Sequence, residues 1–196
     1  MTGMARKRVA ILISGRGSNM AALIEAAKAP DYPAEIALVV SNVPDAAGLA
    51  RARAAKVTTV TLDHKAFGKD RAAFEAALQK ILEEHRIDLI CLAGFMRLFT
   101  AGFVGRWSGR MLNIHPSLLP LFPGLDPHGQ ALRAGAQISG ATVHFVIPET
   151  DAGPIIAQES VPVLPGDSPD SLAARVLDAE HRIYPIALRQ VIEGKS

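Results

Sequence analysis

The sequence predicts an α/β fold, in which a mostly parallel twisted sheet carries helices on both faces and ends in an antiparallel C-terminal part. Short apolar runs such as Val9–Ile13 alternate with helical segments through the first half, as in β-α-β units. In the second half, two strand-like segments follow a proline-rich connection that begins at Pro116, and successive strands of this kind commonly pair antiparallel.

The apolar runs of the first half lack polar alternation, which predicts strands that are buried on both faces. Between the first two runs, Ser18 or Asn19 is expected to cap a helix that stops before Pro30. We predict strands at 9–13, 36–40, 57–62, 88–93 and 109–114, and helices at 18–28, 46–55 and 66–85.

Beyond Pro116, further prolines predict a long connection before a short helix at 130–134. Strands are expected at 140–147, with alternating polarity, and at 155–163. Ser168 and Pro169 form a helix start, and this last helix should run to about Glu193 with a kink at Pro185. We expect one domain over 1–196, with two functional halves at about 8–110 and about 111–196.

Composition excludes several classes of protein. The 196 residues carry a net charge of +2 and no basic run beyond 6–8, which argues against nucleic acid binding. The single cysteine, Cys91, excludes an intrachain disulfide and a cysteine-rich metal site. No apolar stretch reaches about 18 residues and no signal peptide is apparent, so we expect no membrane span and a cytoplasmic location.

The segment Asn113-Ile114-His115 is the strongest indication of chemistry. In a strand, positions i and i+2 project to the same side, so the Asn113 amide and the His115 imidazole should face one pocket. An amide can donate to a developing oxyanion, and an imidazole can carry a proton near neutral pH. This pairing indicates acyl-transfer chemistry.

A second indication is the loop 14–19, which joins the first strand to the first helix. Gly15 and Gly17 allow close backbone approach, and free N–H groups at a helix start favour an anion. A dinucleotide site is not favoured, because Met20 replaces the third glycine of that fingerprint. A phosphomonoester site is preferred over a purely structural turn.

Two charged residues fall on apolar helix stripes, Arg71 and Glu180. A charge facing a core is expensive unless it is paired or binds a ligand, although a helix end reaching into solvent would also explain Arg71. Asp151 lies in a Gly- and Pro-containing loop and could complete an acid–base set with Asn113 and His115. His144, in the neighbouring strand, is expected to support that set.

Taken together, these segments resemble the phosphoribosylglycinamide formyltransferase family, a folate-dependent family of purine biosynthesis. The resemblance covers nearly the whole chain, and several matching segments in the same order make it specific. The matching segments are Ile13–Asn19, Leu92–Leu98, Asn113–Gly124, Gly140–Phe145, Asp151–Pro154 and Ala179–Pro185.

The resemblance implies a Rossmann-like formyltransferase fold and transfer of formyl from 10-formyltetrahydrofolate, as co-substrate, to the amine of glycinamide ribonucleotide. Asn113 would bind the formyl oxygen, His115 would be held charged by Asp151, and Asp151 would relay protons. No metal is implied. A homodimer is one open alternative for the oligomeric state.

The resemblance also implies a phosphate-binding half at about 8–110 and a catalytic, folate-binding half at about 111–196, and it assigns binding residues. The glycinamide ribonucleotide site would comprise Gly17, Ser18, Asn19 and Glu180. The folate site would comprise Arg71, Met96, Arg97, Leu98, Phe99, Asn113, Ile147, Pro148, Glu149, Thr150 and Asp151. Thr142 and His144 would support these residues. The chain departs from the family pattern at Pro148 and at Gly129, where we expect changes in the folate loop and in a surface contact.

The main alternative is 10-formyltetrahydrofolate deformylase, which would use the same set of residues to hydrolyse the formyl group. Its motif usually continues with a second histidine, where this chain has Pro116. A methionyl-tRNA formyltransferase would require a further C-terminal domain. A non-catalytic Rossmann-like binding module would not need the amide, imidazole and carboxylate together.

Overall fold

The computed structural model describes residues 5–195, so positions 1–4 and 196 of the predicted domain lie outside the described residues. Seven strands form one sheet in the order β3-β2-β1-β4-β5-β6-β7. The strands are β1 (Lys7–Ile13), β2 (Ala34–Ser41), β3 (Thr59–Thr61), β4 (Leu89–Leu92), β5 (Met111–His115), β6 (Ile138–Phe145) and β7 (Ile155–Pro162).

The first five strands are parallel, whereas β6 pairs antiparallel with β5 and β7 pairs antiparallel with β6. The predicted fold class, a mostly parallel sheet with an antiparallel C-terminal part, is therefore confirmed. The alternating pattern of the segment 140–147 is typical of an exposed-edge strand or of an antiparallel strand, and the second alternative is correct. Strand β6 pairs antiparallel on both sides, lies inside the sheet, and its residues 139–144 are all buried. The edge position belongs to β7, where exposed residues recur along the strand.

Six α-helices accompany these strands in the described part of the chain. Their apolar residues form one cluster on each face of the sheet, as expected for strands that are covered on both sides. The helices are α1 (Ser18–Ala26), α2 (Ala47–Ala54), α3 (Arg71–Glu84), α4 (Ala101–Arg106), α5 (Pro127–Arg133) and α6 (Pro169–Ile192).

Helix α6 begins as predicted. The Ser168 hydroxyl accepts a hydrogen bond from the Ser171 N–H, the Ser171 hydroxyl accepts one from the Ser168 N–H, and Pro169 occupies the first turn. The helix then continues through Pro185 to Ile192. The part of the chain that the structure describes contains no helix long and apolar enough to cross a bilayer.

Other helix boundaries differ from the prediction. The helix predicted at 66–85 is divided, because Gly68 adopts a positive φ of 54° between a 3-10 turn at His64–Phe67 and α3. Asp70 then caps α3 by accepting from the Ala73 N–H. Helix α4 was not predicted, and α5 begins at Pro127 rather than at 130 because the Asp126 carboxylate caps it there.

Candidate active site

The loops that follow β1 and β4 meet at the carboxyl ends of these neighbouring strands, where open parallel sheets bind ligands. Between the two loops lies a cavity of about 270 Å³. It is lined by Ser14, Gly15, Arg16, Gly17, Ser18, Asn19, Ala93, Gly94 and Met96. The predicted phosphate loop therefore faces a real cavity, and the donor-side residue Met96 lines the same cavity.

Two glycines in close contact, Gly17 and Gly48, shape the predicted phosphate loop. Gly17 is the residue before α1 and has a φ of 69°, so the expected side-chain cap by Ser18 or Asn19 is absent. A Cβ on Gly48, at the start of α2, would lie 2.5 Å from Ile13 Cδ1 and 3.0 Å from the Gly15 carbonyl oxygen. The Gly48 N–H donates to that same carbonyl over 3.0 Å. Gly48, which the sequence analysis missed, thus holds the loop in place through its backbone contact with Gly15.

Glu180 is a buried acid, as its position on the apolar stripe of α6 predicted. Burial raises the pKa of its carboxyl to about 7, while a hydrogen bond with the Asn19 side chain acts in the opposite direction. The Asn19 Oδ1 atom is itself buried without a partner among the described residues. Asn19 and Glu180 thus lie where α1 packs against α6, beside the predicted phosphate loop.

Replacing Glu180 by glutamine should remove one pH dependence of folding. Because the folded-state pKa of about 7 exceeds the ordinary value of 4.5, the folded protein binds the proton more tightly, and its free energy of unfolding falls as pH rises from about 4.5 to 7. The full difference is about 3 kcal/mol at neutral pH. Denaturant unfolding of both proteins from pH 4.5 to 8 measures it.

In that titration the stability difference between Glu180→Gln and the parent should grow with pH and level off above about 7. Glu84→Gln, on the exposed side of α3, serves as the control for loss of a carboxylate. A difference that is constant with pH would contradict the buried, proton-binding state of Glu180.

The Asn113 amide is oriented by His144. The His144 Nδ1 atom lies 2.9 Å from the Phe145 carbonyl oxygen, which can only accept, so the proton is on Nδ1. The His144 Nε2 atom is then an acceptor for the Asn113 Nδ2 group at 3.2 Å. Burial lowers the pKa of His144, which favours this neutral tautomer. One N–H of the Asn113 amide is thereby held by His144, and the other remains free to donate.

His115 lies against Asp151, as the sequence analysis expected. The His115 Nδ1 atom is 3.4 Å from Asp151 Oδ2, and both side chains are less than one-tenth exposed. The other ring nitrogen, Nε2, donates to the Phe122 carbonyl oxygen over 2.9 Å. With Nε2 bonded to the main chain, Nδ1 is the ring nitrogen of His115 that faces the carboxylate.

The Asp151 carboxylate lies close to both His115 and His144. Its Oδ1 atom lies 3.8 Å from His144 Nε2, and its Oδ2 atom accepts from the Gly124 N–H over 2.9 Å. Its backbone has a φ of 53°, a left-handed conformation that aspartate tolerates better than most residues. Two residues later, Gly153 has no room for a Cβ beside the Phe145 carbonyl. The loop after β6 is therefore constrained to hold the carboxylate here.

Thr142 supports the loop that follows β5. Its hydroxyl donates to the Ser117 carbonyl over 2.7 Å and accepts from the Leu119 N–H over 3.1 Å. Thr142 is also the residue that pairs with His115 across the two strands. The expected departure at Gly129 has a local cause, because a Cβ there would collide with the carboxylate of Asp126 that caps α5.

The first of the predicted folate-side residues are Arg71 and the segment 96–98. Arg71 is exposed at the first turn of α3, so the prediction that it faces the core was wrong and the helix-end alternative is correct. Met96 and Leu98 are 73% and 62% exposed. The Arg97 guanidinium lies 5.0 Å from the centre of the Phe74 ring.

The remaining predicted folate-side residues before Asp151 are Phe99 and the loop residues 147–150. Phe99 stacks between Phe95 and Phe103, with ring centres 5.3 and 4.7 Å apart. Ile147 is half-buried, and Pro148, Glu149 and Thr150 are exposed in the loop that leads to Asp151. The described residues contain no cluster of three or more acidic, histidine or cysteine side chains suited to a metal ion.

An amide, an imidazole and a carboxylate at adjacent strand tips, next to a loop suited to phosphate, define an enzyme of the group-transfer class. Comparison with known proteins agrees, since the formyl transferase family model matches residues 7–188. The chain belongs to the formyl transferase family and, within it, to the phosphoribosylglycinamide formyltransferases. The resemblance inferred from the motifs is thereby confirmed.

The relatives differ in length. Phosphoribosylglycinamide formyltransferase of Escherichia coli is 46% identical over 187 residues, which cover 95% of this chain and 88% of that protein. The human trifunctional purine biosynthetic protein adenosine-3 is 50% identical over 189 residues, and the chain spans only 19% of its length. The crystal structure of phosphoribosylglycinamide formyltransferase from Brucella melitensis is 53% identical, with a TM-score of 0.91 and coverage of 95% and 96%.

Proposed function

We propose that this chain transfers the formyl group of 10-formyltetrahydrofolate to the primary amine of glycinamide ribonucleotide, giving formylglycinamide ribonucleotide and tetrahydrofolate. The observation that carries the proposal is the pairing of Asn113 with neutral His144, which leaves one amide N–H free beside the His115–Asp151 pair. The family to which the chain belongs supports the same chemistry. The two substrates occupy different sides of this set.

On the acceptor side, the phosphate binds to Gly17, Ser18 and Asn19 at the start of α1, where backbone N–H groups and the helix dipole favour an anion. Glu180, one helix away, hydrogen-bonds the amine or the ribose. The cavity between the loops after β1 and β4 is the space that supports this placement.

On the donor side, the pteridine end of the folate lies along the segment 96–99 and the loop 147–151. The exposed apolar side chains Met96 and Leu98 provide a surface for a flat ring. Arg71 and Arg97 supply positive charge for the carboxylates at the far end of the folate. This assignment extends from the tip of β4 to the start of α3.

The reaction needs no covalent intermediate on the enzyme. The amine nitrogen attacks the formyl carbon, the new C–N bond forms, and the carbonyl electrons move to oxygen. Asn113 donates its free N–H to this oxyanion, and the charge of protonated His115 beside Asp151 stabilises it further. The bond from carbon to N10 of the folate then breaks, and a proton passes from the former amine to N10 through Asp151 and water.

The proposal is tested by following folate absorbance when purified protein receives 10-formyltetrahydrofolate, with and without glycinamide ribonucleotide. Turnover should require the amine substrate. Turnover at the same rate without the amine would overturn the transferase assignment and support a deformylase, which uses water as the acceptor.

A further inference from the structure

We propose that Ser14 is a positioning residue, whose hydroxyl holds the phosphate loop and the donor-side segment at a fixed separation. The inference rests on the proposed function, because it concerns the distance between the amine acceptor and the formyl donor. Ser14 directly follows β1 and precedes the loop Gly15–Gly17, and it lines the same cavity as Met96.

Two hydrogen bonds make Ser14 the junction. Its hydroxyl accepts from the Met96 N–H over 2.8 Å, and the same hydroxyl donates to Asn42 Oδ1 over 2.5 Å. The Ser14 N–H also donates to the Gly94 carbonyl over 3.1 Å. One small side chain therefore connects the tips of β1, β2 and β4 on the side of the sheet where substrates bind.

Asn42 gives this junction a rigid base. It is only 2% exposed, directly follows β2, and its carbonyl oxygen accepts from the Nδ1 group of His64 over 2.8 Å. His64 begins the 3-10 turn that precedes α3, the helix at whose start Arg71 lies. The hydrogen bonds thus run from the 3-10 turn that precedes α3 through Asn42 and Ser14 to Met96.

Ser14, in the middle of this network, adjoins the loop assigned to the acceptor, while the two ends of the network lie on the side assigned to the donor. Gly17, Ser18 and Asn19 follow Ser14 by only a few residues and bind the phosphate of the acceptor, whereas Met96 and Arg71 lie on the side of the formyl donor. Loss of the hydroxyl leaves the Met96 N–H without its acceptor and Asn42 Oδ1 without its donor, so both segments can shift. A misplacement of about 1 Å between reacting groups lowers rates by up to about 100-fold.

Ser14→Ala tests the inference, with the rate of a single turnover measured at saturating concentrations of both substrates. We expect this rate to fall about 10- to 100-fold, because the bound substrates no longer meet at the reactive distance. The matched control is Ser139→Ala, which removes a hydroxyl that is also buried, at 2% exposure, but has no partner among the described residues. The control should keep the parent rate within about twofold, because removing a hydroxyl without a partner breaks no hydrogen bond.

Thermal unfolding of Ser14→Ala and of the parent protein separates positioning from general destabilisation, because the variant should be fully folded at the assay temperature even though the unpaired groups lower its midpoint. Ser14→Thr, which retains the hydroxyl, should recover most of the rate that Ser14→Ala loses. A Ser14→Ala rate close to that of the parent, or a threonine variant as slow as the alanine variant, would overturn the inference. Failure of the proposed function is distinguishable, because the parent protein itself would then transfer no formyl group.

Discussion

Asn113→Ala is expected to lower kcat about 100- to 1,000-fold, the loss typical of removing one oxyanion donor. The reason lies in the orientation of the amide, since His144 holds one N–H and leaves the other for the developing charge. Because this donation matters most in the transition state, the KM values of both substrates should change much less than kcat. Steady-state kinetics with each substrate varied in turn measures both quantities.

Asn113→Asp provides the matched variant. Aspartate has the size and shape of asparagine but, when ionised, can only accept hydrogen bonds. It should therefore be at least as slow as the alanine variant. If the aspartate variant kept substantial activity, or if substrate affinity collapsed while kcat survived, Asn113 would not be the oxyanion donor.

Asp151→Asn should also lower kcat by two or more orders of magnitude. The substitution keeps the size of the side chain and can keep the hydrogen bond from the Gly124 N–H, but it removes the negative charge beside His115. The imidazolium then loses its counter-charge, and the proton relay from the amine to the leaving nitrogen loses its carboxylate. The pH profile of kcat, measured for both proteins, should change shape as well as height.

Asp126→Asn is the control for this experiment. Asp126 also has a positive φ, of 54°, and its carboxylate also accepts from a main-chain N–H, that of Gly129. Its other partner is Arg133 at the end of α5, and among the described residues it forms no hydrogen bond or ion pair with His115 or His144. The control should keep most of the parent kcat. Equal losses in the two variants would indicate damage to loops rather than loss of a catalytic charge.

Much of this fold could be predicted because its strands are apolar on both faces. Runs such as Val9–Ile13 have no other stable place than the interior of a covered sheet, and the change of pattern after Pro116 marked the antiparallel part. The division at Gly68 was harder to predict. The helical spacing of apolar residues continues across it from Phe67 to Phe74, although the backbone turns at Gly68. The spacing of apolar residues alone does not show where the backbone turns.

The same limit explains the error at Arg71. It was assigned to a buried stripe on the assumption of one continuous helix, but it lies at the first turn of α3, where the helix begins at the protein surface. The buried acid of α3 is instead Glu75, whose carboxylate accepts from the N–H and the hydroxyl of Thr100. That bond joins α3 to α4, a helix too short to have been predicted.

The candidate site could be predicted to the extent that it follows from strand geometry. The i, i+2 spacing of Asn113 and His115 and the loop position of Asp151 indicated a common pocket, and the structure brings these side chains together. Main-chain partners were not accessible to sequence analysis. The Phe122 carbonyl accepts a hydrogen bond from His115, and the Gly48 backbone contacts the predicted phosphate loop. Both contacts depend on the three-dimensional path of the chain.

The most direct test of formyl transfer is to follow the formyl group itself. Protein, glycinamide ribonucleotide and 10-formyltetrahydrofolate with an isotopic label in the formyl carbon are mixed, and the label is counted in formylglycinamide ribonucleotide and in formate. We predict that the label appears in the formylated amine, with one label transferred for each tetrahydrofolate released. Label recovered mainly as formate would contradict the proposed function.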